Sequence, residues 1–444
     1  MLHRVVNRFK FGVEKYLPDA FVFAIVLTLI VYLVGILVAG KGPFEMIEYW
    51  YGGFWSFLSF SMQMVVILVA GYCLALAPAV QKLVQRLAQI PRSPTAAVLS
   101  TVIVSAVAAY LSWGLGLVLG PIFARELSRN LRTVDYRVLI ASAFCGAMAM
   151  LPASLSITAP LLVNTPGHFL EEQIGLISLE QTIFSPMLLV PSILVTLFFA
   201  FLFPAMHPKP EETIPFVQNE EKRKETSVDE SAAAAAPTFA DRMDNNSILS
   251  YLIVAGGLAW IIYHFATKGL DLNINFMNFL LIIVGLALHG SPRNYIKAIE
   301  KAIPASAGVV LQFPFYAGIM GMMASAGLIT MISNWFSSIS TTGTLPLFTY
   351  WSACLVNLFV PSAGGQWAVQ GPVMVEAAKT IGVDPATVVN AVTMGDVTTN
   401  LFQPFWALPA LGVAGLGIRD IWGYCLLAGI IYILIGSLGF WLLV

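Results

Sequence analysis

The chain has 444 residues, of which 58% are hydrophobic and only 11% are charged. Soluble domains usually carry about 25% charged residues, so this composition is typical of a membrane protein. The net charge of −1 offers no basic surface for nucleic acid. Several continuous apolar runs of roughly 20 residues predict an all-α polytopic membrane protein and exclude a barrel of alternating strands.

The apolar runs predict nine membrane spans. In chain order they lie at residues 18–40, 52–78, 137–165, 182–204, 247–267, 272–290, 303–330, 386–414 and 420–444. The basic start of the chain is similar to a signal peptide, but the first run is too long for one, and we expect it to be retained. Two further apolar stretches, 94–124 and 345–378, are too long for a single crossing.

Lys and Arg in short loops predict the side each loop faces, because these residues are enriched on the cytoplasmic side. They place the N-terminal segment and the loops at 79–93, 125–137 and 293–301 in the cytoplasm. The polar segment 205–246 is predicted to be a flexible cytoplasmic linker. The stretch 94–124 then begins and ends inside, and 345–378 begins and ends outside. Both are predicted to be re-entrant helical hairpins, and the C-terminus is predicted to be external.

The sequence contains an internal repeat at an offset close to 249 residues. LSWGLGLVLGP (111–121) corresponds to VPSAGGQWAVQGP (360–372), and GAMAMLPASLSITAPLL (146–162) corresponds to GDVTTNLFQPFWALPAL (395–411). Each copy is predicted to hold two spans, a hairpin and two more spans, one of them interrupted. An unpartnered helix inverts the second copy, a construction typical of secondary transporters. The predicted units are a first repeat at 1–204, the linker at 205–246, the extra helix at 247–267 and a second repeat at 268–444.

Four breaks in the apolar runs are predicted to form the functional site, because irregular backbone at membrane depth survives only where protein or water satisfies it. They are the two hairpin tips and two proline-interrupted spans, at residues 151–154 and 401–404. The half-helix that follows each tip presents free amides, which favour an anion. The candidate substrate-binding residues are Ser112, Trp113, Gly114, Ser154, Ser362, Ala363, Gly364, Gly365, Gln366, Asn400 and Gln403.

Each of these residue types also has a purely structural interpretation. Glycines allow close approach by a ligand, or close packing of two helices. The hydroxyl and amide side chains bind cargo or join helices, and the neighbouring tryptophans cover a short hydrocarbon tail or fill the core. No Lys or Arg lies in the middle of a predicted span, which favours an anion with one carboxylate over an anion with two.

Asp396 is the one acidic residue deep in a predicted span. A buried carboxylate is costly unless it is protonated or paired, so it defaults to a functional role. We expect it to carry a coupling proton or to hold Na⁺ with Thr399 and Asn400, and a structural hydrogen bond is the alternative. No other cofactor is expected. The four cysteines lie within apolar runs, show no metal-ligand spacing and are expected to be free thiols.

Three segments resemble the bacterial short-chain fatty acid transporter family, and the resemblance covers essentially the whole chain. They are FGVEKYLPDAFVFAIVLTL (11–29), VPSAGGQWAVQGP and GDVTTNLFQPFWALPALG (395–412). The resemblance implies uptake of acetoacetate, butyrate or similar monocarboxylates across the bacterial cytoplasmic (inner) membrane. Related ion transporters have opposed hairpins, a scaffold and a transport domain, often a homodimer, and elevator-type motion. By that analogy the carboxylate lies between Ser112–Gly114 and Ser362–Gly365.

The leading hypothesis is a non-enzymatic secondary active transporter, in the lipid bilayer, that couples monocarboxylate import to a H⁺ or Na⁺ gradient by alternating access. A dicarboxylate/Na⁺ symporter or a Na⁺/H⁺ exchanger on the same architecture is the alternative. The superfamily's Ser-Asn-Thr cation motif is matched only by Thr398-Thr399-Asn400, which leaves the Na⁺ assignment open. An intramembrane hydrolase with Ser362 as nucleophile is disfavoured, because no histidine is placed to act as its base.

Overall fold

The computed structural model describes residues 20–216, 238–403 and 405–443. The basic residues of the N-terminal segment, the middle of the predicted linker and Pro404 lie outside these ranges. All regular elements within them are helices, and seven helical segments are long and apolar enough to cross a membrane. The prediction of an all-α membrane protein is therefore confirmed.

The helices fall into two series along the chain. In the first series they are α1 (Ala20–Leu37), α2 (Pro43–Phe54), α3 (Leu58–Leu76), α4 (Pro78–Leu87), α5 (Pro94–Leu111), α6 (Trp113–Asn130), α7 (Tyr136–Met150), α8 (Thr158–Val163), α9 (Glu171–Ile174) and α10 (Pro186–Ala205). In the second series they are α11 (Phe239–Asp244), α12 (Ser247–Lys268), α13 (Ile274–His289), α14 (Pro292–Ala302), α15 (Ala307–Ser325), α16 (Leu328–Ile339), α17 (Leu345–Val356), α18 (Ala363–Ile381), α19 (Pro385–Thr399), α20 (Leu408–Ala414) and α21 (Ile418–Leu442).

Four short helices, α2, α4, α14 and α16, are absent from the predicted spans. They have 10 to 12 residues each, too few to cross a membrane, and α4 and α14 carry basic residues on one face, which lowers their average hydropathy.

Two predicted spans are also divided. In the span predicted at 52–78 the membrane helix begins only at Leu58, and the span predicted at 303–330 ends at Ser325. Gly327, with a φ of +75°, then turns the chain into α16.

Helical hairpins occur at both positions that the sequence indicates. The helices α5 and α6 meet at Ser112, whose backbone is extended, and run antiparallel with Gly116 against Ala109 and Gly120 against Ser105. The helices α17 and α18 are joined by residues 357–362. The hairpins are longer than predicted, because their second helices continue to Asn130 and Ile381.

The start of the predicted flexible linker is held to the base of α7. The Asp135 carboxylate accepts hydrogen bonds from the backbone N–H of Ile214 at 2.9 Å and from the Arg137 guanidinium at 2.7 Å. Burial raises the pKa of Asp135, but these hydrogen bonds outweigh it and keep that pKa below its usual range. Segment 207–216 is therefore attached to the base of α7. Of the remaining linker residues, the structure describes 238–246.

The helices pack as two groups that meet along one interface. The first group contains α1, α2, α3, α13, α14 and α15, and the second contains α5 to α8, α10 and α17 to α21. Across the interface α3 packs on α6, the second helix of one hairpin, and α15 packs on α18, the second helix of the other. Both hairpin tips thus lie against the first group.

A close backbone contact inside the first group joins α2 to α15. A Cβ atom at Gly53 would lie 2.6 Å from the Ala317 carbonyl oxygen and 2.8 Å from Gly321 Cα. The two backbones touch because neither helix carries a side chain at this point, an arrangement common in membrane helix pairs. The neighbouring Gly52 has no atom within 4 Å of such a Cβ.

We predict that Gly53→Ala destabilises the protein by about 1–3 kcal/mol, because the added methyl group overpacks a backbone contact. The matched control is Gly52→Ala in the same helix, which should be neutral or stabilise slightly, since alanine is the better helix former. Thermal unfolding of the two detergent-purified variants measures the difference. Equal melting temperatures would contradict the contact between α2 and α15.

Candidate substrate site

A cavity of about 40 Å³ lies at the interface of the two helix groups, where both hairpin tips and both helix interruptions meet. The first group contributes Met64, Val309 and Phe313. The first hairpin and the interruption after α7 contribute Trp113, Leu117, Met148, Leu151, Ile157 and Thr158. The second hairpin and the interruption after α19 contribute Ser362, Ala363, Gly364, Asn400 and Trp406. Among the residues that the structure describes, no charged side chain belongs to this lining.

The N-terminal end of α18 borders the cavity. Ser362 caps this helix, and its Oγ accepts a hydrogen bond from the backbone N–H of Gly365 at 3.4 Å. The first backbone N–H groups of a helix have no partner within the helix and carry its positive dipole end. Ala363 and Gly364 are the residues of that first turn that line the cavity, so the predicted anion-binding feature is present at the second tip.

At the first tip, serine side chains from the interruption after α7 bond to the exposed backbone. The backbone N–H of Trp113 donates to Ser156 Oγ at 2.9 Å, and the Ser154 hydroxyl lies 3.2 Å from that same Oγ and 3.3 Å from the Tyr110 carbonyl oxygen. Ser112 is buried beside Gly71 of α3. Among the predicted substrate residues of this half, Trp113 alone lines the cavity.

The glycines of the tips are close packing positions. A Cβ at Gly114 would lie 3.0 Å from the Leu68 carbonyl oxygen of α3, and one at Gly365 would lie 2.5 Å from the Tyr316 ring of α15. Gly364 packs against two phenylalanine rings and also lines the cavity. The packing interpretation therefore holds for Gly114, Gly364 and Gly365, and Gly364 also lines the cavity.

Gln366 joins the two arms of the second hairpin. Its Nε2 donates to the Ala353 carbonyl oxygen and to Gln370 Oε1, both at 2.9 Å, and the side chain is fully buried. The adjacent Trp367 is also fully buried and packs against Gly371. Neither residue lines the cavity.

Asn357, at the end of α17, organises the second interruption and was not among the candidate residues. Its Nδ2 lies 2.7 Å from the Asp396 carbonyl oxygen, 3.0 Å from Thr399 Oγ1 and 2.9 Å from Asn400 Oδ1. A sequence signal existed, because Asn357 is the only amide side chain in the apolar run 345–359. This signal does not identify a functional residue by itself, because polar residues are common at helix ends.

Asn400 presents a donor to the cavity. Its Oδ1 accepts from Asn357 Nδ2 and from Gln403 Nε2, each at 2.9 Å. With both contacts on the oxygen side of the amide, the Nδ2 group is the part that remains for a ligand. Gln403 thus positions Asn400 and does not itself line the cavity.

Two tryptophans connect the tips. The rings of Trp113 and Trp406 meet edge to face with centroids 5.6 Å apart, and Trp406 Nε1 donates to the Pro361 carbonyl oxygen at 2.9 Å. Both rings line the cavity and give it apolar surface of the kind that a short hydrocarbon chain contacts.

Asp396 is buried one turn before Asn400. Its Oδ1 has no hydrogen-bond partner, and no ion pair involves it in the described part of the chain. The predicted coupling residues Asp396, Thr399 and Asn400 are brought together by Asn357, which reaches all three. Among the described residues no cluster of three His, Cys, Asp or Glu side chains could hold a metal ion.

Solved structures share the fold. The Alcanivorax borkumensis YdaH transporter matches with a TM-score of 0.60 at 17% identity, covering 95% of this chain and 97% of that one. Neisseria gonorrhoeae MtrF matches with a TM-score of 0.53 at 14% identity, covering 97% of both chains. At this level of identity the likeness concerns the fold alone.

Sequence relatives are much closer. A protein of Escherichia coli K12 named "Putative short-chain fatty acid transporter" is 36% identical over 437 residues, 98% of each chain. A Haemophilus influenzae protein of the same name is 35% identical, covering 96% of this chain and 97% of its own. The profile described as "Short chain fatty acid transporter" matches residues 1–443. The chain belongs to the short-chain fatty acid transporter family.

Proposed function

We propose that the protein is a secondary active transporter that imports short monocarboxylates, such as butyrate and acetoacetate, across the bacterial cytoplasmic membrane. The observation that carries the proposal is the composition of the cavity. One end offers the first turn of α18, the Ser362 hydroxyl and the Asn400 amide, and the remaining wall is mostly apolar. This arrangement suits one carboxylate attached to a short hydrocarbon tail.

The distribution of donors favours one carboxylate over two. Ser362, the Ala363–Gly364 backbone and Asn400 belong to the second half of the chain, whereas the facing wall consists of Leu117, Met148 and similar side chains. A second carboxylate against that wall would lose its hydration without gaining comparable donors, which costs several kcal/mol. Thr158 is the one hydroxyl on that side, and it lies 3.5 Å from Met64 Sδ.

The helix bounds support the proposed inverted repeat. The helices α3 and α15 both have 19 residues and start 249 positions apart, and α7 and α19 both have 15 residues at the same offset. Partners are exchanged between the copies, because α2 packs on α15 while its counterpart α14 packs on α3. Two hairpins related in this way enter from opposite faces, with the first helix group as scaffold and the second as the moving transport domain.

Asp396 supplies the proposed coupling. An ionised carboxylate buried without a cation is unstable, so a proton on Asp396, or Na⁺ held with Thr399, would neutralise it. Asn357 contacts the backbone of Asp396 and the side chain of Asn400. Occupancy by the ion therefore changes the network that orients the proposed substrate donor, which links ion binding to carboxylate binding.

We predict that Ser362→Ala and Asn400→Ala each raise the KM for butyrate at least about tenfold, because each removes a donor to a charged acceptor. Uptake of radiolabelled butyrate into proteoliposomes measures this. Asn390→Ala is the control. Asn390 lies in α19, the helix that ends just before Asn400, and its side chain donates a hydrogen bond to the Gln181 carbonyl oxygen away from the cavity. No gradient-driven butyrate uptake by the unaltered protein would overturn the proposal, and competition by succinate alone would favour a dicarboxylate carrier.

We predict that Asp396→Asn abolishes the response of uptake to the driving ion gradient, while exchange of labelled for unlabelled butyrate continues. The substitution keeps the shape of the side chain and removes its charge. Asp384→Asn is the control, because Asp384 caps the start of the same helix and asparagine also caps well. The measurement compares uptake under separate pH and Na⁺ gradients. A wild-type response by Asp396→Asn to both would make the residue structural.

A further inference from the structure

A second and larger cavity, of about 640 Å³, lies beside the substrate cavity. We call it the vestibule. One wall is formed by residues 301–312, which end α14 and begin α15, and an opposite wall is formed by α20 with Leu408 and Gly412. The vestibule and the substrate cavity share two lining residues, Val309 and Trp406.

Val309 and Trp406 border both spaces. The same Trp406 indole contacts Trp113 on the cavity side and donates to the Pro361 carbonyl oxygen of the second tip. Because both contacts involve residues of the hairpins, a movement of the tips displaces Trp406. Such a displacement would join the vestibule to the substrate cavity.

Lys301 is the only charged side chain that lines the vestibule, among the residues that the structure describes. It is solvent-exposed, and none of the ion pairs in the described ranges involves it. The other polar side chains of the lining are Tyr72, Gln312 and Trp406, and none of them is acidic. Within the described ranges, the lining of the vestibule thus carries one positive charge and no negative charge, and it borders a cavity with donors for an anion.

We propose that the vestibule holds a second, transient binding site for the short-chain carboxylate, with Lys301 as its anchoring cation. This inference rests on the proposed function. Lys301 does not line the substrate cavity, and neither Ser362 nor Asn400 lines the vestibule, so an anion at Lys301 is distinct from one at Ser362 and Asn400. The site lies between the substrate cavity and the membrane side that carries the basic end of α14, and it raises the local concentration of the anion there.

The test uses a cysteine introduced at Ala305, an exposed vestibule residue four positions from Lys301. In inverted membrane vesicles, Ala305→Cys is treated with an anionic and with a cationic methanethiosulfonate reagent of similar size. The four native cysteines are buried, so the unaltered protein supplies the background. We expect Lys301→Gln in the Ala305→Cys protein to lower the ratio of anionic to cationic labelling about tenfold, because the reagents differ by two charges.

Matched variants separate the charge of Lys301 from its shape. Lys297→Gln removes a charge from the same helix but from a residue outside the vestibule lining, and it should leave the ratio unchanged. Lys301→Arg should keep it. Butyrate should slow labelling of Ala305→Cys when Lys301 is present and have a smaller effect with Lys301→Gln.

Each outcome decides a separate part of the proposal. No labelling by either reagent, as lipid filling the space would give, overturns the vestibule. If the ratio of anionic to cationic labelling is the same with and without Lys301, the role of Lys301 as the anchor is overturned. A charge-dependent ratio without protection by butyrate overturns the carboxylate site. The labelling ratio requires no transport, so failure of the proposed function shows separately, as a loss of gradient-driven uptake by the unaltered protein.

Discussion

The structure depends on one constraint, which is that backbone polar groups exposed at a helix interruption must find partners inside the protein. Each half has a hairpin tip and a broken helix, and each half pairs them with each other. In the first half Ser156 accepts from the Trp113 amide. In the second half Trp406 donates to the Pro361 carbonyl oxygen, and Asn357 reaches across to the end of α19. These bonds hold both tips at the centre and leave the cavity between them.

The two halves share an arrangement of helices and differ in the side chains at their interruptions. Serine hydroxyls close the first interruption, and its contribution to the cavity is almost entirely apolar. Amides organise the second interruption, which follows the buried Asp396, and its contribution includes the donors Ser362 and Asn400. A short-chain carboxylate has the same division between a charged head and an apolar tail. In the proposed site each half of the protein contacts one end of the substrate.

Small residues set the distances in this arrangement. Inside a membrane apolar side chains gain little by leaving lipid, so helix pairs rely on close van der Waals contact. Gly116 and Gly120 bring the arms of the first hairpin together, and Gly114 lets its tip reach the backbone of α3. At the second tip Gly365 lies against Tyr316. The glycines that drew attention as ligand contacts thus mainly place the tips, and Gly364 alone also faces the cavity.

Composition and the pattern of apolar runs were enough to determine the membrane class, the helical architecture and the positions of both hairpins, because these follow from local hydropathy. The family followed instead from the resemblance of three specific segments. Five of the candidate substrate residues, Trp113, Ser362, Ala363, Gly364 and Asn400, line the cavity. Ser112, Ser154 and Gln366 do not, because the direction of a side chain depends on how each helix is rotated about its tip. The roles of Asn357 and Trp406 became visible only in the tertiary structure, where each contacts a residue about 40 positions away in the chain. A sequence lists the polar residues near a break, but the packing of the helices decides which of them hold the backbone and which face the cavity.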